Sequence, residues 1–234
     1  MLLLLLVLSW ALFSAGPYRG QRRVLTLAVI YYNGGNYGLP LVSLAFGDDG
    51  LTVLTLILTV QNLAGFTLGL WLIGGGRQAW PEVLKGFLNV PAVYAILGGL
   101  LLKAGDIQLA QPLRDPLTYL ADGMIPIALM TLGVQLARGR IGGHLVAVST
   151  VSLVRLVLSP LLAAGLVTMW AFFLSPEIWS IAPILIAVAG VPTAVGVYIF
   201  SIEYKRDPDL ASQIIFWTTL LSAFTMTLWL MLYR

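Results

Sequence analysis

The residues best placed for chemistry in this chain are amides and backbone groups at two irregular points. Asn33 and Asn36 stand three apart in Asn33-Gly34-Gly35-Asn36-Tyr37-Gly38-Leu39-Pro40, inside an otherwise apolar run from Val24 to Phe46. Gly190-Val191-Pro192-Thr193 repeats the pattern of Gly38-Leu39-Pro40 inside a second apolar run, Trp179 to Phe200. Glycine weakens a helix, proline lacks the N–H and clashes with the preceding turn, and asparagine competes for backbone groups. Both runs are therefore predicted to break there. At membrane depth, freed backbone groups are tolerated only where they are buried in protein or line a wet cavity. Two breaks meeting at one point would bring partial positive charge from half-helix N-termini to it, a seat for a carboxylate to which asparagine amides also donate. The candidate substrate-binding residues are Asn33, Asn36, Gly38, Pro40, Gly190, Pro192 and Thr193, with Gln61 and Asn62 of the next span able to line the same cavity. The plainer alternative is that the prolines kink packed helices while the amide side chains bond freed carbonyls or neighbouring helices.

The elements that must position these residues follow from composition. Of 234 residues, 59% are hydrophobic and 10% charged, with a mean hydropathy of +0.93, against roughly 25% charged in a soluble domain. No aqueous core hides that much apolar surface, so the bilayer is the solvent for most of the chain. Cysteine is absent and there is one histidine, His144. Disulfides, thiolate metal sites and cysteine nucleophiles are excluded, and neither a serine–histidine pair nor a zinc site can be assembled within the membrane. The expectation is that the protein is not an enzyme and needs no cofactor or metal. The net charge of +3 sits in loops, with no basic stripe of the kind that binds nucleic acid.

Eight membrane helices are predicted: 1–16, the broken 24–46, 51–73, 82–102, 117–137, 145–174, the broken 179–200, and 210–233. Gly47-Asp48-Asp49-Gly50 makes a tight turn, and Gly74-Gly75-Gly76 followed by Pro81 marks a linker over 74–81. In alternate loops, Arg19, Arg22, Arg23, Arg77, Lys85, Arg138, Arg140, Lys205 and Arg206 fall on one side, and Lys103, Arg114 and Arg234 on the other. The richer side is expected to be cytoplasmic, which puts both chain termini outside.

Phe66-Thr67-Leu68-Gly69-Leu70-Trp71-Leu72 and Phe224-Thr225-Met226-Thr227-Leu228-Trp229-Leu230 agree at five of seven positions. Each follows a run with the Gly-X-Pro pattern. Five spans separate the two segments, so they run oppositely through the membrane and the repeat is inverted. The unit is five helices: 82–234 forms a complete one, and 1–73 matches the last three of another. The expected parent therefore has ten helices, two more than are counted here.

At NGGNYGLPL (33–41), LNVPAVYAILGGLLL (88–102) and VPTAVGVYIFSIEYKRDPDLAS (191–212) the sequence resembles the auxin efflux carrier family of membrane transporters. The resemblance implies an inverted five-plus-five repeat akin to bile-acid symporters and sodium–proton antiporters, with the two broken helices crossing at the midplane. It implies a multi-pass permease of a bacterial inner membrane that carries a small organic anion by alternating access. Helices one, two, three, six, seven and eight would form the mobile part, and helices four and five half of the scaffold. Coupling to protons or sodium and assembly as a homodimer stay open, as does a receptor or an inactive truncated carrier built on the same cavity.

Two further ionisable residues lie within spans. Asp122 is either a proton carrier, its pKa raised by burial, or faces external water. Arg155 sits in a helix longer than the ~20 residues a span needs, and is expected to snorkel to the interface.

Overall fold

Eleven α-helices carry most of the described residues of the computed structural model, which are 1–75, 88, 91–137 and 142–233. In chain order they are α1 (Leu2–Phe13), α2 (Arg22–Ile30), α3 (Leu39–Ala64), α4 (Leu70–Gly74), α5 (Pro91–Ala104), α6 (Gln111–Ala137), α7 (Leu145–Leu153), α8 (Ser159–Phe173), α9 (Ala182–Ala189), α10 (Gly196–Glu203) and α11 (Pro208–Tyr233). Gly34–Gly38, Gly65–Gly69 and Val154–Leu158 are single π turns, each running directly into the α-helix that follows. There is no sheet among the described residues, and the protein is an all-α membrane protein. Among the described residues, four stretches are long and apolar enough to span: Gly34–Gly74, Gln111–Val134, Leu145–Phe173 and Pro208–Tyr233. The predicted linker over 74–81, the start of the helix predicted over 82–102, and the Arg138 and Arg140 loop lie wholly or largely outside the described residues.

The stretch Gly34–Gly74 doubles back at Gly47, whose φ of 64° and ψ of −153° interrupt α3. Positive φ is where glycine carries no Cβ penalty. Beyond the turn, a Cβ on Gly50 would meet Val42 and Phe46, one on Gly38 would meet Leu54, and one on Gly34 would meet Leu58. These pairings run in opposite directions along the chain, so 48–64 lies antiparallel to 34–46. The same helix continues past α2, with Gly65 against the Tyr31 ring, Gly69 against Leu27 and Gly75 against Arg23. Glycine at each contact lets the backbones approach, which is how helices gain packing energy where lipid removes the hydrophobic drive.

A second interruption lies farther along the chain. Between α9 and α10 the backbone is non-helical from Val191 to Ala194, and α11 runs back along both, with Gly190 against Met226 and Trp229 and the Thr193 amide donating to Thr218 Oγ1 at 3.3 Å. Pro160 offers no amide to the preceding turn of the α7–α8 helix. There Trp229 Nε1 donates to the Leu156 carbonyl at 2.9 Å. The main core gathers α1, α2, α7, α10 and α11 around Leu25, Leu27, Val151, Val197 and Ile214. α6 lies against the Gly34–Gly38 turn and is exposed along most of its length.

Candidate functional site

Where α2 stops at Ile30, Tyr31 is extended, with φ −107° and ψ 102°. Tyr32 pairs with Thr193 in an isolated antiparallel bridge. The Asn33 amide donates to the Pro192 carbonyl at 2.8 Å, and the Ala194 amide to the Tyr31 carbonyl at 2.9 Å. The two interruptions therefore touch, backbone to backbone.

Backbone groups released by the interruptions have to find other partners. Thr193 Oγ1 donates to the Ala28 carbonyl at 2.9 Å, and Gln61 Nε2 to the Tyr32 carbonyl. The Asn33 carbonyl receives the amides of Tyr37 and Gly38 at 3.2 and 3.0 Å. Asn33 Oδ1 caps the new helical turn by accepting from the Asn36 amide at 3.2 Å. The largest share falls to Arg155. Its Nη1 donates to Val29 O at 2.9 Å, its Nη2 to Ala189 O at 2.8 Å and its Nε to Val191 O at 2.8 Å. Val29 and Ala189 belong to the last turns of α2 and α9, the negative ends of their dipoles. The guanidinium also lies 4.6 Å from the centre of the Tyr32 ring, and no acidic side chain pairs with it among the described residues.

Arg155 is fully buried, which overturns the expectation that it snorkels. Helix length allowed the side chain to reach the interface, but the helix is rotated so that Arg155 faces the C-terminal ends of α2 and α9. The π turn Val154–Leu158 contains it; such turns often mark functional points in a helix.

On the other side of the crossing lies a cavity of about 380 Å³, within the range of small-ligand sites. Asn33, Gly35, Asn36, Gln61 and Asn62 line one wall, and Ala194, Val195 and Gly196 the other. Two helical starts open on it: the Gly34–Gly38 turn leading into α3, and α10. The first amides of a helix have no intrahelical acceptor, so the cavity is bordered by the positive ends of two dipoles, while Arg155 takes the negative ends behind it. Gly196 is required here because a Cβ would stand 2.5 Å from the Tyr31 ring, which Gly65 flanks as closely from the other side.

Of the residues singled out from sequence, Asn33, Asn36, Gln61 and Asn62 share this cavity. Gly38, Pro40, Gly190, Pro192 and Thr193 are buried and do not line it: Gly38 packs on Leu54, Pro40 sits in the first turn of α3, Gly190 packs on Met226, and Thr193 is spent on Ala28. Asp122 is exposed on α6, and none of the cavity lining is acidic. His144 precedes α7, half-buried, its amide donating to Gln213 Oε1 at 3.3 Å. Tyr31, Tyr32 and Gly196 escaped the sequence reading; the one signal for them was small residues, Gly65 and Gly196, at spacings that admit a ring.

Apolar helices long enough to span a bilayer, with a partly polar cavity among them, mark a membrane protein that can hold a small ligand. Comparison with known proteins agrees. The membrane transport protein family matches residues 77–230. An "Uncharacterized transporter" of Methanothermobacter thermautotrophicus is 32% identical over 213 residues, covering 90% of this chain and 68% of that protein. A "Putative malonate transporter" of Rhizobium meliloti is 27% identical over 229 residues, covering 95% of this chain and 70% of that protein. The chain belongs to the membrane transport protein family, that of the auxin efflux carriers, and is a transporter rather than an enzyme.

Proposed function

We propose that the protein is a secondary transporter that moves a small organic anion, a carboxylate, across the membrane by alternating access, and that the anion binds in the cavity beside the crossing. The observation that carries this is electrostatic. The positive ends of two helical segments border the cavity, and the negative ends of their partners are neutralised by Arg155. A carboxylate then meets oriented dipoles and the amides of Asn33, Asn36 and Asn62 without a fixed charge holding it too tightly. The name of the Rhizobium meliloti relative supports a dicarboxylate.

The same reading takes 24–46 and 179–200 as the crossing broken helices of an inverted repeat of eight spans here, divided into a partial first repeat (1–73), a linker (74–81) and a complete second one (82–234). The antiparallel hairpins that each half forms support it. In this arrangement α5 and α6 belong to the scaffold, the remaining helices travel together, and the termini lie outside. Proton or sodium coupling and a homodimer through the scaffold fit the scheme.

The test is uptake and binding of radiolabelled malonate in proteoliposomes. Asn36→Ala is expected to weaken binding by about 1.5–3 kcal/mol, the worth of one hydrogen bond to a charged group, with insertion unchanged. Unaltered affinity and flux would remove the cavity from the transport path, and binding without flux would point to a receptor.

A further inference from the structure

Asn33 and Gln61 each leave one polar atom buried without a partner: Asn33 Nδ2, a donor, and Gln61 Oε1, an acceptor. The residues are 5% and 4% exposed, and both line the cavity. Neither amide can be flipped to exchange these roles. Asn33 Oδ1 is held by the Asn36 amide, so its nitrogen is the free end. Gln61 Nε2 is held by the Tyr32 carbonyl, so its oxygen is the free end. Amide orientation is assigned from such partners, and here the partners are backbone groups of fixed polarity. Buried polar groups without partners are rare and costly, and because both residues line one cavity, a ligand bound there would be positioned to supply the missing partners.

A fully ionised dicarboxylate offers acceptors only. It would satisfy Asn33 Nδ2 and repel Gln61 Oε1. We propose that the site selects a carboxylate that also carries an O–H donor, a dicarboxylate in its singly protonated form, whose carboxylate accepts from Asn33 Nδ2 while its acid O–H donates to Gln61 Oε1. This rests on the carboxylate reading of the cavity and deepens it. The proton travels bound to the substrate, so proton movement needs no acidic side chain in the site. The titratable groups nearby fit that assignment. Tyr31 and Tyr32 line the cavity, Arg155 lies against the Tyr32 ring, Tyr37 is on the adjoining turn, and Arg114, Asp115 and Asp122 of the packed α6 are all exposed.

The experiment measures binding of malonate, fumarate and monomethyl malonate to the purified full chain across a pH series. Monomethyl malonate has the same single charge as hydrogen malonate but no acid proton. Malonate affinity is expected to fall about tenfold per pH unit above its second ionisation, and the fumarate midpoint to lie at distinctly lower pH, because fumarate gives up its second proton more readily. Monomethyl malonate is expected to bind at least about tenfold more weakly than hydrogen malonate, the factor for an acceptor left unpaired. In Gln61→Met the two malonates should bind alike; the wild-type comparison stands whether or not that variant folds. Malonate affinity independent of pH, one midpoint shared by malonate and fumarate, or equal binding of the ester would overturn the inference while leaving the carboxylate site intact. No binding of any of the three to folded protein at any pH would overturn both.

Discussion

Replacing Arg155 with methionine removes a fully buried guanidinium and strands three carbonyls, those of Val29, Ala189 and Val191. Hydrogen bonds from a charged donor contribute about 1.5–3 kcal/mol each, and desolvating the cation gives back several kcal/mol of that. Because the carbonyls stay buried with nothing to replace the donor, the net loss should match that for removing one partner of a buried charge network, about 3–5 kcal/mol. Lysine keeps the charge but concentrates it on one nitrogen. It cannot span carbonyls from three different segments, and Arg155→Lys should recover less than half of the loss. Equilibrium unfolding in mixed micelles of mild detergent and SDS gives the stability, and malonate binding gives the function in the same samples. A methionine variant within about 1 kcal/mol of wild type, or lysine as stable as arginine, would refute the view that Arg155 ties the two interruptions together.

Three other outcomes are expected. Gly196→Ala pushes a methyl to 2.5 Å from the Tyr31 ring, a stiff neighbour with Gly65 behind it, and should cost about 1–3 kcal/mol as overpacking in the same unfolding assay; a neutral variant would mean that the ring can turn away. Trp229→Phe leaves the Leu156 carbonyl unpaired and should cost about 1–3 kcal/mol, with a coupling to Pro160→Ala in a double-mutant cycle; strict additivity would show that the indole does not serve the proline's turn. Lys205→Cys, exposed in a chain without native cysteine, should resist an impermeant thiol reagent added outside sealed cells, and rapid labelling would reverse the proposed orientation.

The sequence was informative where local chemistry decides and silent where rotation does. Glycines and prolines mark the places at which helices stop, and the interruptions fall within a few residues of them: Tyr31 to Asn33 lies just ahead of the Gly34–Pro40 stretch, and Pro40 serves the first turn of the resumed helix. The reversal at Gly47 is likewise local. Arg155 was visible as an intramembrane cation, yet whether it reaches water or turns inward depends on which face its helix presents, and its near-uniform apolar sequence does not encode that face. Gln61 reads as one polar residue in a span, and its pairing with Tyr32 across 29 positions has no local signature. The glycines opposite Tyr31 have a purpose only once the ring is seen between them.

Two rods that cross at a point keep the freedom to scissor about it. The contact between Tyr32 and Thr193 removes that freedom, because its two bonds, Asn33 N to Pro192 O and Ala194 N to Tyr31 O, fix an angle where a single bond would fix only a position. Breaking either away from water costs several kcal/mol, so the soft coordinates left to this pair are those in which both rods travel as one body. The joint itself is made of main-chain atoms, and side chains brace it from either side, Thr193 on the Ala28 carbonyl and Arg155 on those of Val29, Ala189 and Val191. In the proposed transporter, substitutions lining the cavity would retune what is carried while these two main-chain bonds stay as they are, a separation of specificity from mechanics.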